Sequence, residues 1–120
     1  MGKYTLVLGA SEKAERYSNL AMRKLKQYGH PVAAIGRREG EVDGIPFSRE
    51  KKPFEDIDTV TLYLNAKHQE SYYDYILSLR PKRIIFNPGA ENKELADLAR
   101  ANHIDTIEAC TLVMLGTGQY

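Results

Sequence analysis

Hydrophobic positions along the chain fall into blocks of two kinds. The first kind is short and nearly continuous: YTLVLG (Tyr4–Gly9), PVAAIG (Pro31–Gly36), TVTLYL (Thr59–Leu64), RIIFN (Arg83–Asn87) and DTIEA (Asp105–Ala109). Such runs suit strands covered on both faces, where alternation is lost. The second kind has helical spacing. Ala21, Leu25 and Tyr28 share one helical face; Tyr72, Tyr75, Ile76 and Leu79 share another; Leu95, Leu98 and Ala99 share a third. Stop signals close the first two of these segments, at Gly29-His30-Pro31 and at Arg80-Pro81. Residues 37–58 carry two glycines and two prolines and read as loop, with a short extended piece at Ile45–Phe47. The apolar tail TLVML, after Cys110, is able to pack on the sheet or to cover a partner surface.

Strands separated by helices of about 10–15 residues imply right-handed crossovers and a parallel sheet. The expected fold is α/β, a Rossmann-like doubly wound sheet of about five strands in three α/β/α layers. Residues 1–120 form one domain, and the expected strand order is 3-2-1-4-5. Ligands of such sheets bind outside the carboxyl ends of the strands, where the order reverses. Those ends are Gly9–Ser11, Gly36–Arg38, Leu64–Asn65 and Asn87–Ala90.

The first end starts as a dinucleotide turn and then departs from it. A Gly-x-Gly-x-x-Gly fingerprint would need glycine where Ser11 and Ala14 stand. Counting to a helix start near Ser18, the connection is about eight residues, longer than the usual 2–6. Backbone N–H groups at Tyr17–Asn19, the hydroxyls of Ser11 and Ser18 and the guanidinium of Arg16 form a set suited to phosphate. Ser18 also serves as a candidate helix cap. At the second end, an NAD site would place an acid on the ribose diol. Here Gly36-Arg37-Arg38 stand instead, and arginine pairs with phosphate. A ribose phosphate is expected, which admits NADP and coenzyme A. Asn65 at the third end and Asn87, Pro88 and Gly89 at the fourth complete the candidate contacts; each asparagine is also a candidate cap.

Composition limits the rest. Seventeen basic residues face sixteen acidic ones, so no global positive field recommends nucleic acid and any anion site is local. One cysteine excludes an intrachain disulfide and a multi-cysteine zinc site. No apolar run approaches the ~20 residues of a membrane span, and Met1–Lys3 lead into a strand without a leader pattern. A cytoplasmic protein with no membrane partner is expected. His30, His68 and His103 form no evident catalytic set, so no enzyme activity and no metal are expected.

These segments resemble the stand-alone CoA-binding domain family, Rossmann-like single domains related to the amino-terminal domain of the succinyl-CoA synthetase alpha subunit. The resemblance runs through VLGASEKAERYSNLAMRKL, PVAAIGRREGEVDGIPFS, DIDTVTLYL, RIIFNPGAENKELADLARANHI and EACTLVM. It implies CoA laid across the carboxyl edge, phosphates near Gly9, Ala10 and Ser11 and near Tyr17–Asn19, and the adenosine end near Gly36–Arg38. Two departures stand out: Cys110 is followed by Thr111 rather than proline, and Arg37-Arg38 replace the family's frequent Asn-Pro. A second domain supplying a phosphorylated histidine or an ATP-grasp partner is not expected. The expected function is a non-catalytic CoA or acyl-CoA binding protein. An NADP-binding reductase or redox sensor, and an interaction domain without a functional ligand, are the alternatives.

Overall fold

The computed structural model describes residues 2–120. Five parallel strands make the sheet: β1 (Thr5–Ala10), β2 (Val32–Gly36), β5 (Thr59–Leu62), β6 (Arg83–Phe86) and β7 (Asp105–Glu108). A separate antiparallel hairpin, β3 (Gly40–Val42) and β4 (Ile45–Phe47), follows β2. The helices are α1 (Tyr17–Gln27), α2 (Ala66–Gln69), α3 (Tyr73–Leu79), α4 (Lys93–Ala101) and α5 (Thr111–Gly116), with a 3₁₀ turn at Glu70–Tyr72.

Two-sided burial explains why the strand runs are continuous. Leu6, Leu8, Val60, Leu62, Ile84 and Phe86 pack with Ile76 of α3 and Leu95 and Ala99 of α4. On the opposite face Val7 and Ala34 pack with Met22 and Leu25 of α1, Leu115 of α5, and Val42, Ile45 and Phe47 of the hairpin. The three-layer arrangement is therefore the expected one. α1 ends as a Schellman motif, with His30 N–H donating to the Leu25 carbonyl and Gly29 N–H to that of Lys26. The apolar tail becomes α5 and buries Thr111, Met114 and Leu115.

Strand order differs from the expected 3-2-1-4-5. The sheet runs β2-β1-β5-β6-β7, so the third long strand lies beside the first and the order is 2-1-3-4-5. The reason is the segment that read as loop. Asp43 (φ 52) and Gly44 (φ 81) turn the chain tightly between β3 and β4, a two-residue Asp-Gly hairpin signal that strand periodicity alone overlooks. The hairpin then delivers Ser48 to the outer side of β2, where Gly36 N–H donates to its carbonyl at 3.0 Å. With that place taken, the chain enters β5 on the far side of β1, where Asp58 N–H donates to the Tyr4 carbonyl at 2.8 Å. Both orders reverse beside β1, so the crevice stays where the expected topology put it.

The amino edge carries none of the candidate site residues. There the Tyr120 hydroxyl hydrogen-bonds that of Thr5 (2.6 Å), and Arg83 stacks over its ring at 4.4 Å. His30 accepts the Lys3 N–H at Nδ1 (2.9 Å). Burial first, then the charges of Lys3 and Arg83, hold its pKa below the ordinary histidine value.

Candidate functional site

The sheet brings the ends of β1, β2 and β5 to one groove of about 520 Å³ at the carboxyl edge. Gly9, at the end of β1, has φ +102. A Cβ there would lie 3.1 Å from the carbonyl carbon and oxygen of Tyr63, so β1 and the end of β5 approach as closely as a bare backbone allows. Gly36 is similarly enclosed, since a Cβ would fall 2.5 Å from the Ala10 carbonyl oxygen.

The connection after β1 is shorter than the sequence suggested. β1 runs to Ala10 and α1 begins at Tyr17, leaving Ser11–Arg16, the upper end of the usual range. Arg16, not Ser18, is the N-cap, and its side chain makes no cap bond. Ser18 lies buried within the first helical turn. Asn19 is also buried and braces the loop: its Nδ2 donates to the Ser11 carbonyl (2.9 Å), while its Oδ1 accepts from Arg23 Nε (2.9 Å). Ser11 Oγ accepts the Lys13 N–H at 3.1 Å. The first helical bond is Leu20 N–H to the Arg16 carbonyl, so the amides of Tyr17–Asn19 precede the ladder. Ala10 is buried, whereas Arg16 and Tyr17 are exposed.

The two asparagines have different local duties. Asn65 caps α2, its Oδ1 accepting the His68 N–H at 3.0 Å. Asn87 does not cap the helix that follows it in the chain and is 2% exposed. Its Nδ2 donates to Thr61 Oγ1 (2.7 Å) and the Leu62 carbonyl (2.9 Å), and its Oδ1 accepts the Thr111 N–H (2.8 Å). The Thr61 and Thr111 hydroxyls pair at 2.8 Å and close the loop of bonds. The amide thereby clamps β5, β6 and α5 together beneath the site. Ala90 N–H donates to the Asn87 carbonyl across Pro88 and Gly89 (φ +90), the pattern of a type II turn. That turn is fastened by buried Gln69, whose Nε2 donates to the Leu64 and Ala90 carbonyls at 2.8 and 2.7 Å. Sequence reasoning missed Gln69 because a lone glutamine has no periodic signature.

The electrostatics of the groove come from cations. Arg37 lines it from β2, Arg49 and Lys51 from the chain after β4, and His68 from α2. Gly9, Leu64 and Tyr72 supply apolar and aromatic surface, and no carboxylate lines it. Among the described residues the ion pairs are Lys26–Asp43, Lys82–Asp58, Lys93–Asp97 and Arg100–Asp97. Arg37, Arg49 and Lys51 thus retain uncompensated charge in a chain whose net charge is only +1, while Arg38, expected beside Arg37 at the site, is exposed and does not line the groove. Arg49 and Lys51 went unnoticed in the sequence, because nothing in SREKKPF marks which of its cations face the groove. Tyr63 sits under the same edge with its hydroxyl buried and unpartnered, and burial raises its pKa. Cys110 is partly exposed just before α5.

Fold and groove together define a Rossmann-like α/β domain with a cationic crevice at the point where strand order reverses. Residues 3–116 match the CoA binding domain family, and the chain belongs to it. A crystal structure of a protein described only as uncharacterized is 48% identical, with a TM-score of 0.97, over 100% of this chain and 99% of that one. A hypothetical protein from Pyrococcus horikoshii OT3 is 23% identical (TM-score 0.87) over 97% of this chain and 83% of that one. A Thermus thermophilus protein described as cell-free ID.343 is 19% identical (TM-score 0.82), covering 99% and 91%. The last two likenesses concern the fold. No curated protein matches the chain.

Proposed function

We propose that this protein binds coenzyme A, free or acylated, at the carboxyl edge of the sheet and performs no chemistry on it. The observation that carries the reading is the groove of uncompensated cations without a lining carboxylate. Exposed cations without a paired acid favour a polyanion, and guanidinium groups favour phosphate. The diphosphate then lies toward Gly9–Ser11 and the amides of Tyr17–Asn19, with the ribose phosphate toward Arg37. Family membership supports the same ligand. The donor set supports the reading of binding without turnover. His30 and His103 lie toward the amino edge, and His68, the imidazole on the groove, has no carboxylate ion pair among the described residues. A cytoplasmic setting belongs to this reading, and no helix among the described residues is long and apolar enough to cross a membrane.

Thermal denaturation with CoA, NADP and NAD tests the ligand. CoA at ~100 times its dissociation constant stabilises the protein by about 2.7 kcal/mol, and NAD leaves the transition in place. A shift with NADP and none with CoA overturns the reading in favour of a pyridine nucleotide, which Arg37 would also suit. Absence of chemistry is checked separately. Incubation with ATP or GTP, CoA and a panel of carboxylic acids yields no acyl-CoA above background; turnover lost in His68→Ala would defeat the claim.

A further inference from the structure

The stretch Ser48–Phe54 is an irregular ribbon that separates two grooves; it bends at Arg49 and closes two tight turns, with Lys52 N–H donating to the Glu50 carbonyl (3.1 Å) and Phe54 N–H to the Lys52 carbonyl (2.9 Å). Even-numbered residues Ser48, Glu50, Lys52 and Phe54 line a groove of about 350 Å³ along the outer edge of β2. Odd-numbered Arg49 and Lys51 line the carboxyl-edge groove. The ribbon is fixed at several points. Gly36 N–H donates to the Ser48 carbonyl at its start. The Tyr75 hydroxyl donates to the Lys52 carbonyl near its end. Between them Lys51 Nζ donates to the Ser71 carbonyl (2.6 Å) and lies 4.8 Å from the centre of the Tyr72 ring. Both of those partners are neutral, so Lys51 is positioned while its charge stays available to the groove.

Counting charge shows what this wall adds. A nucleotide diphosphate carries about two negative charges, and a phosphomonoester adds about 1.5–2 more near pH 7. The amides of the first loop serve the diphosphate, and Arg37 at the end of β2 meets only part of the charge of a ribose phosphate. Arg49 and Lys51 add to the permanent positive charge lining the groove, and no acid offsets them. We propose that Arg49 and Lys51, on the chain that leaves the end of β2 after Ser48, form a second cationic wall that selects ligands carrying a ribose phosphate in addition to the diphosphate. This rests on the coenzyme A reading for the identity of the ligand and goes beyond it in assigning discrimination to the ribbon. The ligand class is a phosphoadenosine nucleotide, whatever its distal group.

Calorimetric titration of two ligand pairs, CoA with dephospho-CoA and NADP with NAD, tests the assignment. The proteins are wild type, Arg49→Gln, Lys51→Met and Lys52→Met. Methionine keeps the apolar stem of lysine and removes its charge, and Lys52 is the control because it lines the other groove. Wild type prefers CoA over dephospho-CoA about tenfold, the size of one partly exposed charge-assisted contact. The preference falls to about threefold or less in Arg49→Gln and Lys51→Met and is retained in Lys52→Met. Added salt erodes it in wild type and hardly at all in the first two variants. An unchanged preference in both groove variants overturns the proposal, as does an equal loss in Lys52→Met, which would indicate only overall charge. If CoA does not bind but NADP is preferred over NAD through the same two residues, the wall stands and the coenzyme A reading falls. Binding of none of the four ligands removes both.

Discussion

Replacing Asn87 by alanine is expected to cost about 3–5 kcal/mol of folding stability. The side chain is 2% exposed and makes three hydrogen bonds, to Thr61, Leu62 and Thr111. Its loss leaves the Thr111 N–H and the Leu62 carbonyl without those partners, each at about 1–3 kcal/mol, and adds a small cavity. The Thr61–Thr111 hydroxyl pair survives and limits the damage. For a domain of ordinary stability, about 5–15 kcal/mol, this is a large fraction. Urea denaturation followed by circular dichroism measures it, with the m value unchanged if α5 stays docked. Calorimetry on the folded fraction should give a CoA affinity within about threefold of wild type, below 1 kcal/mol, because the amide acts from beneath the groove. A stability loss below about 1 kcal/mol, or a much larger loss of affinity at intact stability, would show that Asn87 serves the ligand instead.

Gly9→Ala is expected to lower stability by about 2–4 kcal/mol and to weaken CoA binding at least tenfold. Two costs combine. At φ +102 an alanine is strained by about 1–2 kcal/mol, and its Cβ would press at 3.1 Å on the Tyr63 carbonyl group. Relieving that contact moves β5 away from β1 at the floor of the groove, an overpacking cost of about 1–3 kcal/mol. Gly89→Ala separates the two terms. Gly89 also has positive φ (+90), yet nothing lies within 4 Å of a Cβ there. It should lose only about 1–2 kcal/mol and keep its affinity within about threefold. Equal losses for the two variants would mean that close approach of β1 and β5 has no energetic consequence.

Both residues were legible in the sequence as members of the carboxyl edge, but for different reasons. Gly9 follows an apolar run and announces a sharp turn, and the structure gives it that turn. Asn87 holds an equally exposed place in the pattern, at a strand end before Pro-Gly, yet its side chain folds inward. Whether an amide at a strand end faces solvent or its neighbours depends on what later chain supplies. Here the supplier is Thr111, twenty-four residues on. Ser18 illustrates the same limit at shorter range. A hydroxyl just before a helical run reads as a cap, but the helix begins one residue before it and buries it. The hairpin was in principle readable from Asp43-Gly44, and its omission produced the wrong strand order.

The layers, the strand and helix identities, the carboxyl-edge location and the Arg37-Arg38 charge follow from the sequence alone. Each is a periodic or local property: burial on both faces makes strand runs continuous, 3.6-residue spacing marks helix faces, and glycine and proline mark their ends. Tertiary structure decided the position of β5 beside β1, the inward turn of Asn87 and Gln69, and the union of Arg37 with Arg49, Lys51 and His68. Those outcomes depend on contacts between segments far apart in the chain. The second cationic wall exists because the Ser48 bridge to Ile35 ties the chain after β4 to the outer side of β2 and leads the next residues past the crevice. Only then do every-other-residue positions point to different grooves, and only then does a run that reads as a solvated loop become one side of a site.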